Sequence, residues 1–455
     1  MPHRSLGNLA NKLGPVIRLQ LGQVSLVVIS SPDLAKQVMK THDLSFSNRP
    51  KLLSAEIVGY NYKDIVFSPY DGYYRQMRKI CVMELLSAKK VRSFESIREQ
   101  ESWDLVQSIQ KQLMGSKTII NINLTKMIVR MMSDVTFRVS VGSRCKDQAT
   151  LLALVVEILS LSGGFDVSDL FPSYKLLHLV TGMRNKLVKI HKKIDKLFDD
   201  IISDHQQLRA SGQISDDTED DLLEVLLKLK EDGGGLQFPL TSENIKAVIL
   251  DMFIAGTDTA SVTIEWAMLE LAKNPSAMKK VQTELRQTLK GKKKIYEADI
   301  RELDCLKLVI KETLRLHPPL PLLLPRECQE KCEVGGYHIP ANTKVIINAW
   351  KIGCDPNNWS HPESFIPDRF YENSINMMGV DFEFLPFGAG RRMCPGINLG
   401  LANVELPLAR LLYHFNWEVP INAKSQSIDT SEVFAVVLRP KHNLHLIPSA
   451  YNVDE

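Results

Sequence analysis

The sequence predicts a mainly α fold with small β-sheets (α+β). Three observations carry that expectation. Helical periodicity runs almost unbroken from about residue 73 to 320. Strand-like patterns are confined to segments near 15–30, 332–347 and 415–448. The composition, 44% hydrophobic and 24% charged, is that of an ordinary globular chain.

Each element has a local reason. Val16–Leu21 and Val24–Ile29 flank Gly22-Gln23, a β-hairpin pattern. Pro32 opens a helix with Leu34, Ala35, Val38 and Met39 on one face. Residues 48–72, rich in Gly, Pro, Asn and Tyr, read as loop. Leu187, Ile190, Ile194, Leu197, Phe198 and Ile201 repeat at a helical period. Their opposite face carries Lys186, Lys189, Lys192, Lys193 and Lys196, either solvated or drawn to an anionic membrane surface.

Residues 211–240 read as a flexible surface connection. The acids Asp216, Asp217, Glu219, Asp220 and Asp221 precede a short helix at Leu222–Lys230, then Gly233-Gly234-Gly235. Residues 242–274 give the longest helix, about 50 Å at ~1.5 Å per residue. A further helix carries Leu303, Leu306, Ile310 and Leu314 and stops at His317-Pro318-Pro319. Val345–Ile347 and Leu444–Ile447 read as strands, and Leu399–Leu412 as a helix. With β at both ends and helix between, residues 1–455 are expected to form one interwoven domain, not the three that length alone suggests.

Several function classes fall away. Lys+Arg 56 against Asp+Glu 53 leaves +3, so a nucleic-acid binder is excluded. No uninterrupted apolar run approaches ~18 residues; the best, Leu151–Leu161, is broken by Glu157 and Ser160. Met1-Pro2-His3-Arg4 begins no signal peptide. Seven dispersed cysteines make no disulfide framework and suit a reducing compartment. Cys328-x-x-x-Cys332 lacks a second pair for zinc. Ser-x-x-Lys recurs at Ser87, Ser143 and Ser276, which shows how cheaply that motif arises. No nucleotide- or flavin-binding glycine motif is present.

Three motifs point to chemistry. The long helix reads Phe253-Ile254-Ala255-Gly256-Thr257-Asp258-Thr259 at its middle. A mid-helix glycine costs roughly 1 kcal/mol against alanine. The cluster is either a satisfied polar kink or a groove where a ligand approaches Gly256 and Asp258 with Thr259 supplies protons. Glu312 and Arg315 share a helix face. With Arg369 in Pro367-Asp368-Arg369-Phe370 they form either exposed pairs or a buried triad. In Phe387-Gly388-Ala389-Gly390-Arg391-Arg392-Met393-Cys394-Pro395-Gly396, Gly390 permits a tight turn and Gly396 keeps backbone close to a ligand. Phe387 shields the sulfur, and the helix after Cys394 favours its thiolate.

Phe387-x-x-Gly390-x-Arg392-x-Cys394-x-Gly396 resembles the haem-binding signature of the cytochrome P-450 family. Glu312-x-x-Arg315, Pro367-x-Arg369-Phe370 and Ala255-Gly256-x-Asp258-Thr259 match its other signatures in order and spacing. The resemblance covers essentially the whole chain. Leu323-Leu324-Pro325-Arg326-Glu327 and the wording near 40–50 and 400–415 look like the plant 71 clan, near its D-type terpenoid-oxidising subfamily.

The resemblance implies a haem-thiolate monooxygenase with haem b as cofactor. Cys394 would be the axial iron ligand. Asp258 and Thr259 would deliver protons to bound dioxygen, beside Ala255 and Gly256. Arg78, Arg326 and Arg392 match propionate-binding positions. Tyr74 stands where the family has a tryptophan, so haem retention is expected to weaken at most; Ala260 stands where a second hydroxyl is common. Glu312, Arg315 and Arg369 match a structural triad.

The substrate pocket is expected from Ile57, Val58, Ile65, Phe253, Ile254, Leu320, Leu322, Leu323, Phe434 and Ala435. These are apolar, so the substrate is a hydrophobic small molecule: a sesquiterpenoid or diterpenoid, or else an alkaloid. O2 and a membrane-bound NADPH–cytochrome P-450 reductase are the implied partners, with Arg391 offered to the reductase's acidic face. The chain would act as a monomer at the cytosolic face of the endoplasmic reticulum membrane. Family members carry an N-terminal membrane helix and a Pro-rich hinge before the segment that matches His3-Arg4-Ser5-Leu6, so the resemblance implies that this sequence starts just past a missing anchor. Rival readings are a hydroperoxide-rearranging relative, which an intact Asp258-Thr259 pair argues against, and a haem-binding pseudoenzyme.

Overall fold

The structure, a computed structural model, describes residues 1–452 except 116–117, 163–166, 175–176, 178–180, 212–219, 234, 372–374, 421–428 and 434–435. The expected hairpin is present, with Leu21 facing Val24 across Gly22, whose φ of 60° only glycine adopts at ease. Val24–Ile29 then pairs parallel with Lys344–Ile347, and that strand pairs antiparallel with Arg326–Glu327. Chain ends some 300 residues apart thus share one sheet, and the sheet fixes Arg326 at the edge of the helical body.

Two helices near the N-terminus went unread in the sequence. Pro2–Leu13 is helical, with Pro2 in the first turn and His3, Gly7 and Ala10 buried. Its glycine is a packing feature: a Cβ on Gly7 would lie 3.3 Å from the Trp350 ring. Leu53–Val58 is a short helix inside the segment expected to be loop. The helix opened by Pro32 holds as far as Lys36 and continues as a π-turn to Thr41.

The long helix spans Ser242–Lys273. Thr241 caps it: its hydroxyl accepts from Asn244 N at 3.3 Å, and Asn244 Oδ1 accepts from Thr241 N at 2.7 Å. By length and composition it could cross a bilayer. In this fold it is instead a core helix, packed along Leu124–Val141 and against Ile397–His414. Apolar packing is continuous from Leu53 to Leu446.

The lysine face at Lys186, Lys189, Lys192, Lys193 and Lys196 is exposed, opposite buried Leu187, Ile190, Ile194 and Phe198. Asp221 caps the short helix Leu222–Asp232. Asp216, Asp217, Glu219 and Gly234 lie outside the described residues.

Candidate active site

The cysteine loop runs into the helix Ile397–His414. Cys394 N donates to Phe387 O at 3.0 Å and closes the loop on itself. Gly390 sits at φ 71°, and a Cβ there would overlap the Met39 carbonyl and the Asp43 carboxylate. Asp43, which the sequence reading missed, is the clamp. It accepts from Arg391 N at 2.7 Å and from Arg326 Nη1 at 3.2 Å, while Arg326 Nη2 donates to Ala389 O at 2.8 Å. The loop is thereby tied to the edge of the sheet.

Cys394 faces a cavity of about 240 Å³, walled on the opposite side by the long helix. Burial pushes the Cys394 thiol up; hydrogen bonding from Gly396 and the charge of Arg78 act the other way. Any help from the following helix works against that burial. Metal ligation is what deprotonates such a buried thiol.

Four guanidiniums border the same cavity: Arg49, Arg78, Arg326 and Arg392. Arg49 was not foreseen, because Ser47-Asn48-Arg49-Pro50 reads as plain loop. Its donors go to the carbonyls of Val66, Leu324 and Pro325 at 2.8–3.0 Å. Burial, then Arg392 and Arg326, hold it well below the usual arginine range. Arg392 Nε donates to Ser47 O at 2.7 Å, and its guanidinium lies 3.7 Å over the Tyr74 ring centre. Burial first, with Arg326 adding to it, pushes Arg392 down to about 10. Tyr74 donates its hydroxyl to Arg391 O at 3.2 Å. The phenol that replaces the tryptophan thus serves as a platform for Arg392 and a brace for the loop.

These residues fit haem. Arg392 Nη1 is buried with no hydrogen-bond partner, and crowded cations at a cavity wall call for an anion. Propionates meet that need at Arg392, Arg326, Arg78 and Arg49. Gly396 leaves the space beside the sulfur open, since a Cβ there would meet only Cys394 Sγ, at 3.9 Å.

On the other wall, Met252, Ala255, Gly256, Thr259, Ala260 and Thr263 face the cavity. That spacing is one helical face. Thr259 Oγ1 donates to Ala255 O at 2.7 Å, which leaves its lone pairs for the cavity. Gly256 departs from expectation: a Cβ would strike Thr136 of the neighbouring helix, 3.1 Å from Cγ2 and 3.4 Å from Oγ1. Its missing side chain serves helix–helix approach. Asp258 is buried and ion-paired with Arg439. A further acid, Asp251, lies in the cavity wall and accepts from Ile65 N at 2.7 Å. Burial, then the charge of Asp64, holds its carboxyl well above the usual range.

Of the expected pocket residues, Ile65, Leu320 and Leu323 line the cavity. Phe253 packs edge-on against Phe137 at 5.9 Å, and Ile254 joins the core beside it. Both lie off the 252–255–259 face, so helical phase removes them. Leu322 packs against the sheet, with Ile17 and Leu26. Val58 is in the core, and Ile57 borders a separate hollow with Tyr60 and His191. Phe434 and Ala435 lie outside the described residues.

Behind the cavity the triad is assembled. Arg315 donates to both Glu312 oxygens at 2.7 and 2.8 Å, and Arg369 Nε donates to Oε1 at 3.0 Å. Ile366 N adds a fourth donor at 2.8 Å. The Glu312 and Arg315 side chains are 0% exposed, so the exposed-pair reading falls.

Comparison with known proteins agrees. A profile of the family described as Cytochrome P450 matches residues 1–447. A germacrene A hydroxylase of Barnadesia spinosa is 52% identical over 451 residues, 99% of this chain and 88% of that protein. A premnaspirodiene oxygenase of Hyoscyamus muticus is 50% identical over 452 residues, 99% and 89% respectively. A solved zebrafish cytochrome P450, described with abiraterone, superposes with a TM-score of 0.83 at 24% identity, covering 99% of both chains.

Proposed function

From the premise that the chain belongs to the cytochrome P450 family, we propose that its substrate is a sesquiterpenoid, hydroxylated at one carbon. The enzyme is a haem-thiolate monooxygenase that uses O2 and electrons from a reductase. The observation that carries the site assignment is a single cavity with Cys394 on one wall and Thr259 on the other.

When bound, haem supplies the activation of O2 and insertion of one oxygen atom. The chain's residues do the rest. Cys394 would ligate the haem iron through its thiolate, and Phe387 would keep water from the sulfur. Arg78, Arg326, Arg392 and Arg49 would hold the propionates, with Tyr74 stacked against Arg392. Ala255 lines the cavity beside the ligand, with Gly256 next to it packed against Thr136. Thr259 accepts a hydrogen bond on the cavity side while anchored to Ala255 O, and Asp258 feeds it protons. Ile65, Leu320 and Leu323 with Met252 hold the substrate by shape. Glu312, Arg315 and Arg369 secure the fold behind the cysteine loop.

A basic alkaloid is the second substrate reading, favoured by Asp251, because an amine would give that buried acid an ion pair. The similarity to a germacrene A hydroxylase and a premnaspirodiene oxygenase favours the terpenoid. The chain, read as one haem domain, works as a monomer at the endoplasmic reticulum surface; the exposed face at Lys186–Lys196 supports attraction to anionic lipid.

The test starts with reduced protein and carbon monoxide. A strongly red-shifted Soret band, lost in Cys394→Ala, is expected; an unshifted wild-type band would overturn the assignment. Turnover of sesquiterpene hydrocarbons with reductase and NADPH is expected next. Turnover of amines alone would transfer the enzyme to the second reading.

A further inference from the structure

Asp258 is ion-paired to Arg439, a residue 181 positions further along the chain, in a strand no motif marks. Among the described residues only one carboxylate oxygen is engaged: Oδ1 meets Arg439 Nη2, while buried Oδ2 has no protein hydrogen-bond partner. An unpaired buried acceptor costs roughly 1–3 kcal/mol, which a purely structural pair gains nothing by keeping. Here one oxygen is held and the other is free to take a proton.

The backbone around Arg439 is pinned from several sides. Leu438 N donates to Pro319 O, and Trp266 Nε1 of the long helix donates to Leu438 O, both at 2.8 Å. Arg439 and Pro440 pair with Val433 and Glu432. Glu432 is in turn gripped by His3 and Arg4. With the strand fixed, only the guanidinium can move. Its side chain is 25% exposed against 9% for Asp258, so the pair reaches from a solvent-touching edge to the acid beside Thr259.

We propose that Arg439 is a positioning residue that sets Asp258 for proton delivery and links the solvent edge of the terminal hairpin to the active site. The inference rests on the reading of Asp258 and Thr259 as the proton path. The step moves protons only. A proton from bulk solvent is relayed by water at the hairpin edge to Asp258 Oδ2 as the guanidinium swings out, and the relaying water is left neutral. Asp258 passes it towards the cavity side of Thr259 and is re-paired as a carboxylate. Arg439 stays protonated throughout, and no electron passes through the pair.

The experiment uses the haem-loaded enzyme with its reductase and NADPH. Variants are R439Q, R439K, D258N and D258N/R439Q. R439Q is expected to raise peroxide released per product about five-fold and to enlarge the D2O isotope effect on product formation about two-fold. R439K, which keeps the charge, should stay within about two-fold of wild type on both. The double variant should be no worse than D258N alone, because Arg439 acts through Asp258. Independently of turnover, D258N should speed hydrogen exchange at 437–440 several-fold. Unchanged coupling and isotope effect in R439Q, or multiplying effects in the double variant, overturn the proposal. If the carbon monoxide band is normal in that case, the monooxygenase reading stands and only this inference falls. A wild type with no thiolate band overturns both.

Discussion

Three glycines in the cysteine loop separate backbone demands from ligand demands, and alanine at each gives a graded prediction. Gly390→Ala combines φ 71° with a Cβ inside the Met39 carbonyl and Asp43 carboxylate. The left-handed backbone alone costs about 1–2 kcal/mol. The overlap must also break the Asp43 clamp on Arg391 N and Arg326, so the total should reach about 4 kcal/mol or more. Gly388→Ala carries the same backbone cost at φ 67°, but its Cβ would touch only Leu323 Cδ1, at 3.7 Å. About 1–2 kcal/mol, or a ~5–30-fold rise in local opening, is expected. Gly396→Ala has φ −95° and an open site beyond Cys394 Sγ. It should leave the loop's opening equilibrium nearly unchanged and yet speed haem loss, because its methyl enters the space the ligand needs. Hydrogen exchange across 386–398 reads the first quantity, and haem transfer to an acceptor protein reads the second. The reasoning fails if Gly396→Ala opens the loop as much as Gly390→Ala, or retains haem as wild type does.

Three further outcomes follow from the same geometry. Glu312→Gln strands Arg315 and Arg369 without their carboxylate, so a loss of about 3–5 kcal/mol should appear as a lower urea midpoint and poor haem-loaded yield; a wild-type midpoint would contradict the buried triad. Thr259→Ala removes the hydroxyl on the cavity side and should raise peroxide per product at least ~10-fold; unchanged coupling would take Thr259 off the proton path. Burial works to raise the Glu432 carboxyl, but hydrogen bonds from Arg4, with His3 close by, overcome it and hold it at about 2 against an ordinary 4.5. A depressed carboxyl stabilises the fold above the ordinary value, and that contribution disappears as pH falls from about 4.5 towards 2. Acid melts of Glu432→Gln should be flatter over this window than those of wild type; equal slopes would remove the Arg4–His3–Glu432 grip.

What the sequence made legible was whatever repeats or sits close in the chain. Gly22-Gln23 with alternation on both sides could form only that hairpin, and Glu312 with Arg315 share a face by helical spacing alone. Phe387–Gly396 is legible because one short loop must carry the ligand, the turn and the shield together. Contacts set by three-dimensional packing were invisible. Phe253 and Ile254 were assigned to the pocket because they adjoin Ala255, yet position round the helix, not proximity along it, decides exposure to a cavity. Asp43 lies nearly 350 residues from Arg391, and Arg439 lies 181 beyond Asp258. Their partners belong to strands and loops that only the closed fold brings together. Gly256 shows that one motif position can answer to packing as well as to a ligand. It lines the cavity, but the methyl that its neighbours leave no room for is the one facing Thr136. A residue can therefore line the active site while its identity is dictated by the helix behind it. Thr136→Ala, which clears both close atoms, should make Gly256→Ala tolerable if packing is the constraint, and should change nothing if the ligand is.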